Sequence, residues 1–146
     1  MATFRGSYQH SIDHKGRISI PARFRRTLSS DASETFVILR GLESCVSLYP
    51  LDEWGRREER LRERSFDDPA MRQYLRTMAR DLNDATVDAQ GRVAIPPRLI
   101  EHARLKREVL VLGVMDHIEI WDPATFDAYT AGSPKTYEEL AGELLK

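Results

Sequence analysis

The chain has 146 residues, room for one ordinary domain or two half-size ones and too little for a multidomain enzyme. At 41% hydrophobic and 31% charged it reads as folded and rather polar, not disordered, and no stretch approaches the roughly 20 apolar residues of a membrane span. Its 22 Lys and Arg against 23 Asp and Glu give a formal net charge of -1, which taken globally argues against a strongly basic nucleic-acid binder.

From the N-terminus, Tyr8, His10 and Ile12 alternate with polar residues and read as a strand. Asp13 and Gly16 then stand at the first and fourth positions of a type I turn. Ile18 and Ile20 alternate with Arg17 and Ser19 in the returning strand, so Lys15 in the turn and Arg17 just past it are expected to project toward solvent. Pro21, suited to a first helical position, opens a short helix with Phe24 and Leu28 on one face and Arg23, Arg25 and Arg26 around the rest. Two apolar strands follow, Phe36 to Leu39 and Val46 to Tyr49, joined through Gly41.

Leu51 to Arg64 is dominated by Arg and Glu at i, i+3 and i, i+4 spacings, the pattern of a solvated helix face. Asp68-Pro69 is a cap and N1 proline ahead of a stripe of Met71, Tyr74, Leu75 and Met78, expected to pack on its own domain. Further on, Val109 to Leu112 and Ile118 to Trp121 read as strands, and Asp122-Pro123 opens a helix with Phe126 and Tyr129. After a Gly132-Ser133-Pro134 break, Thr136 and Glu139 form a capping box for a last helix carrying Leu140 and Leu144.

The chain repeats itself. Ile12 to Arg23 is echoed by Val87 to Arg98, with Asp, Gly, Arg, Ile, Pro and Arg identical at a spacing of 75 residues. Gly41, Val46, Leu48, Tyr49 and Trp54 then match Gly113, Ile118, Ile120, Trp121 and Phe126 at a spacing of 72. Some seventy residues with four short strands make a marginal core alone, so the halves are expected to share one core as an intrachain pseudo-dimer. The domain organisation is a first module over residues 1–55, a helical connector over 56–82, a second module over 83–130 and a tail over 131–146. Overall this is a mainly β, α+β chain with short helices.

Neutrality is an average over unlike segments. Residues 1–30 hold six cations against one acid, a net of +5, residues 81–112 are neutral, and residues 113–146 come to -5. Eighteen of the 22 basic residues are Arg, whose planar fork suits phosphate and guanine. Cys45, the one cysteine, cannot form an intrachain disulfide, which points to a reducing compartment. With no apolar signal-peptide core at the N-terminus, a cytoplasmic location is expected. No P-loop, dinucleotide fingerprint or catalytic triad context is present, His10 and His14 lack the further ligands of a metal site, and no cofactor is read; the chain is taken as a non-enzyme. Cys45 and His117 occupy the same position in the two repeats, which favours a packing role for each.

Phe4-Arg5-Gly6, the Asp13-x-Lys15-Gly16-Arg17-x-x-x-Pro21-x-x-x-Arg25 motif, its second copy from Asp88 to Pro96, and the strand ends Leu48-Tyr49-Pro50 and Ile120-Trp121-Asp122 resemble the MraZ family of bacterial transcriptional regulators. The resemblance covers the chain to about residue 130. It implies two AbrB-like swapped-hairpin domains in a β-barrel, one chain doing what two do in simpler relatives. It further implies sequence-specific binding to double-stranded promoter direct repeats ahead of the division and cell-wall gene cluster, usually as repression, by ring-shaped homo-oligomers at the nucleoid. The second copy departs from the motif, with Gln90 where the first has Lys15 and Ile100 where it has Arg25.

For DNA contact the candidates are Lys15, Arg17, Arg23, Arg25 and Arg5, with Arg92 and Arg98 as weaker members from the second module; Arg17 leads as a base or close phosphate contact. The competing reading of Arg17 and Arg92 is an ion pair with the turn aspartate. A second functional reading is a protein-interaction or antitoxin-like module whose basic face binds an acidic partner.

Overall fold

Each aspartate-glycine turn folds as its residues demand. The Gly16 amide donates to the Asp13 carbonyl at 2.9 Å and the Gly91 amide to Asp88 at 2.9 Å. Both glycines have positive φ, 76° and 80°, a region in which a side chain is strained. In the computed structural model, which describes residues 2–146, these turns join strands β1 (Phe4–Ser11) to β2 (Arg17–Ser19) and β5 (Asn83–Thr86) to β6 (Arg92–Ala94). Helix α1 (Ala22–Thr27) follows β2, and α4 (Pro97–Ala103) follows β6. The hairpins β3 (Thr35–Arg40) with β4 (Val46–Pro50), and β7 (Glu108–Met115) with β8 (His117–Trp121), complete the repeat.

The strands pair across the repeat more than within it. One antiparallel sheet runs β1-β7-β8-β4-β3-β5, with β1 and β5 as its edges, and β2 pairs with β6 in a second, two-stranded sheet. Thus β1 of the first half lies on β7 of the second, and β5 of the second on β3 of the first. The exchange is symmetric: the Ile12 amide donates to Arg107 and the Val87 amide to Glu34, both at 2.8 Å, and Ile20 reaches Gly91 as Ile95 reaches Gly16, again at 2.8 Å. The main core accordingly draws on both halves, with Phe4, Ile18, Ile20, Phe24, Phe36 and Leu48 beside Val93, Ile95, Leu99, Val109, Ile118 and Ile120. The expectation of one shared core is met.

Helices α2 (Leu51–Arg62) and α3 (Pro69–Asp81) separate the halves in sequence, and α5 (Pro123–Ala131) and α6 (Tyr137–Leu144) end the chain. The predicted caps form: Asp68 accepts from the Ala70 amide, Asp122 from Thr125, and Thr136 with Glu139 makes the reciprocal box. One local reading needs correction. Pro21 is the N-cap of α1, not its first helical residue, whereas Pro97 occupies N1 or N2 of α4. The Arg- and Glu-rich α2 has an inward face as well as its charged outer one: Trp54 is buried with Val37, Leu39, Tyr49 and Met78 in a second cluster, partly lined by Leu51 and Leu61. Three apolar residues over three turns are enough to anchor a helix whose remaining face is charged. Of the α3 stripe, Met71 and Met78 are buried, while Tyr74 stays exposed. No helix is long and apolar enough to cross a membrane among the described residues.

Candidate nucleic-acid interface

The two turns lie side by side because β2 and β6 pair through Ile18↔Val93, flanked by Arg17↔Ala94 and Ser19↔Arg92. Within each turn the aspartate is the organiser. Asp13 Oδ1 accepts from the Lys15 and Arg17 amides at 2.9 Å, and its Oδ2 from Arg17 Nε at 2.7 Å. Asp88 repeats this with the Gln90 and Arg92 amides at 2.9 Å and Arg92 Nε at 3.1 Å. A weaker contact ties the copies together, Arg92 Nη1 standing 3.9 Å from Asp13 Oδ2.

The Arg17 amide, then the Arg17 side chain and the Lys15 amide, outweigh partial desolvation and hold the Asp13 carboxyl down at about 2 against an ordinary 3.8. Asp88 is lowered by the same kind of contacts, led by the Arg92 amide. A depressed carboxyl stabilises the fold above its unfolded value and loses that contribution as pH falls through the folded one. The first turn should therefore hold at pH 4 and loosen toward about pH 2. A carboxyl NMR titration of Asp13 is expected to centre near 2, and a midpoint near 4 would show that the Arg17 contacts do not form in solution.

Both turn arginines are thus ion-paired, as the competing reading held, yet neither is consumed. The Arg17 and Arg92 side chains remain 29% and 25% exposed, and of the Arg17 guanidinium only Nε bonds to protein among the described residues. The Arg17 Nη groups remain available as a planar fork for two acceptors. Lys15 is exposed at the turn tip, where the second copy offers Gln90.

The structure separates the other candidates. Arg23 is exposed on α1. Arg25 is turned to the opposite half: its Nε donates to the Ile20 carbonyl at 3.1 Å, and its guanidinium lies over Gly91, where an added Cβ would sit 2.9 Å from Cζ. Its counterpart Ile100 takes the same place over Gly16. Arg25 therefore sits against the second turn, not beside Lys15 on the first. Arg5 is exposed at the far end of β1, eight residues before Asp13 and so about 25 Å along an extended strand, outside the turn cluster. Arg98 holds Asp81 at 2.8 Å and braces α4 against the end of α3.

Two cations that composition left in a neutral segment arrive from across the repeat. The β1–β7 pairing places Lys106 and Arg107 beside the first turn, where they line a depression of about 650 Å³ with Asp13, His14 and Gly16. The signal for them was the repeat itself, which implies strand exchange, but exchange cannot be read from segment charges.

Residues 3–77 and 78–141 each match the family profile of the MraZ protein, described as antitoxin-like. The chain is 36% identical over 141 residues to a protein of Alkaliphilus oremlandii, covering 97% of this chain and 96% of that one. It is 38% identical over 142 residues to proteins of Heliobacterium modesticaldum and Moorella thermoacetica, with the same coverage in each case. All three relatives carry the name Transcriptional regulator MraZ.

Proposed function

The chain belongs to the MraZ family, and from that premise we propose that it is a DNA-binding transcriptional regulator. It recognises direct repeats in double-stranded promoter DNA ahead of the division and cell-wall gene cluster and represses from there, in the cytoplasm at the nucleoid. The observation that carries this reading is the pair of adjoining turns: Arg17 with free Nη groups, Lys15 exposed beside it, and Arg92 one strand away. Phosphate contacts from Lys15 and Arg23 would set register while the Arg17 fork reads a base edge. Arg25 and Arg98 support the platform and Arg5 lies beyond it. The strand exchange between halves supports the swapped-hairpin, AbrB-like reading, with modules over residues 1–55 and 83–130, a connector over 56–82 and a tail over 131–146.

Mobility shift with duplex from the gene's own upstream region tests the proposal: specific retardation, lost on scrambling the repeats and falling steeply with salt, is expected. Absence of binding at low salt would refute it and favour the second reading, an antitoxin-like interaction with an acidic protein.

A single platform with a few cations binds weakly, so assembly multiplies affinity. Helix α6 fits the role of assembly element. Tyr137, Leu144 and Leu145 are exposed, Glu138, Glu139 and Glu143 add negative charge, and the connector helices α2 and α3 together carry seven Arg against five Asp and Glu, a net of +2. Docking of α6 on a neighbour's α2 and α3 would build the closed ring. Truncation after Gly132 is expected to lower the mass measured by light scattering to that of a smaller species, and an unchanged mass would exclude α6 from the interface.

A further inference from the structure

We propose that Lys106 and Arg107, carried by the second half, are phosphate-contacting residues of the first half's DNA-facing turn, so that the duplicated platform meets duplex DNA asymmetrically. This rests on the DNA-binding reading above and goes beyond it in naming which end of the platform bears the load.

The two turns have equivalent backbones and unlike flanks. Beside the first, the chain that hydrogen-bonds to Ile12 is Lys106-Arg107; beside the second, the chain that hydrogen-bonds to Val87 is Ser33-Glu34. Turn tips differ in the same sense, His14-Lys15 against Ala89-Gln90. The first turn therefore has Lys106 and Arg107 on its flank, lining one depression with Asp13, His14 and Gly16, while the strand entering the second turn is bonded to Glu34. Arg25 leans the other way, over Gly91, and its Nε is held by the Ile20 carbonyl.

Acidic neighbours do not cancel the cluster. Asp13 is occupied by Arg17. Glu108 accepts from the Ser11 hydroxyl at 3.2 Å, and Asp122, largely buried, caps α5 through Thr125. Lys106 stands 3.5 Å from Asp122 with its side chain 75% exposed, so the ammonium can turn from this long contact to a phosphate while Asp122 keeps its Thr125 partners. The Arg107 side chain is exposed and bonds to no described residue. Leu105, buried beneath them, and the backbone bond from Ile12 to Arg107 hold this stretch against the turn, so the two cations are presented from a fixed edge and not from a free loop.

The test is binding of labelled duplex from the upstream region to the full-length protein, followed by fluorescence anisotropy over a range of salt concentrations. Each phosphate contact contributes about -0.9 to the slope of log affinity against log salt, so K106A/R107A is expected to flatten the slope by roughly two units and weaken binding about tenfold or more at moderate salt. E34K places a cation at the equivalent edge of the second turn and is expected to leave the slope unchanged. Wild-type slope in K106A/R107A, or a slope steeper by about one unit in E34K, would overturn the asymmetric contact. Failure of the wild-type protein to bind at all would instead remove the DNA reading on which it stands. Because the two cations are exposed, an unaltered melting temperature separates lost contact from lost fold.

Discussion

Arg17→Ala is expected to weaken binding to the upstream duplex by roughly 10- to 100-fold while leaving the thermal midpoint nearly unchanged. The two halves of this expectation have separate physical sources. A good arginine contact to a base edge contributes about 1–3 kcal/mol of discrimination, and each 1.4 kcal/mol is tenfold in affinity. The intramolecular partner of Arg17 is a carboxylate at the surface, where water screens the pair, so losing it changes stability little. The turn also survives the loss of the side chain, because Asp13 still accepts from the Lys15 and Arg17 amides. Arg17→Lys keeps the charge and loses the fork, so it should retain binding to scrambled duplex and lose preference for the repeats. Arg92→Ala is expected to act more weakly, since Asp88 and Asp13 both lie within reach of the Arg92 guanidinium and the second turn carries no lysine. Unchanged specific affinity in Arg17→Ala would transfer recognition to another part of the surface.

The local grammar of this chain was legible and its cross-connections were not. Asp13 and Gly16, and again Asp88 and Gly91, specify their turns by side-chain acceptors and a positive φ, effects confined to four residues. Alternation placed Ile18 and Ile20 inward, and both are buried. Caps at Asp68, Asp122 and Thr136 followed from short-range hydrogen bonding and formed as expected. What periodicity does not encode is which strand a strand pairs with. Arg25 looked like a neighbour of Lys15 because the two are ten positions apart in sequence; in space, strand exchange carries Arg25 to Gly91 and brings Lys106 and Arg107 to the first turn instead. The same holds for α2, whose charge density hid the few apolar positions, Leu51, Trp54 and Leu61, that dock it. In the candidate interface the residue types were readable, and their partition between the two turns was a property of topology.

Phe24→Ala is expected to destabilise the protein by about 3–5 kcal/mol, the range for emptying a buried aromatic site, and to lower the thermal midpoint by roughly 10–15 °C. Phe24 is 1% exposed and its ring meets Phe4 edge-on at 5.4 Å and Tyr8 edge-on at 5.3 Å. Such pairs add about 0.5–1.5 kcal/mol each to simple burial. The ring also closes on the β1–β7 seam, where a Cβ at Gly113 would lie 3.0 Å from Phe24 Cζ and 2.7 Å from the Arg5 amide nitrogen. The helix that carries Phe24 is only six residues long and lacks a side-chain N-cap, so it depends on this contact for its position. Loss of the ring should therefore loosen the edge strand β1, the strand that delivers the first turn to its place beside Lys106 and Arg107. Denaturant unfolding of Phe24→Ala and Phe24→Leu measures the effect: leucine should recover about half of the loss by refilling the site, and a deficit below about 1 kcal/mol for alanine would show that α1 does not lock β1. Hydrogen exchange distinguishes local from global opening, because faster exchange confined to the β1 amides in Phe24→Leu, with the β3–β4 amides still protected, is what an edge strand paired on one side to β7 and braced by this aromatic contact must give. DNA affinity in that variant should then fall through the mobility of the first turn although every cation is retained, which ties recognition to the packing of a residue that never touches the duplex.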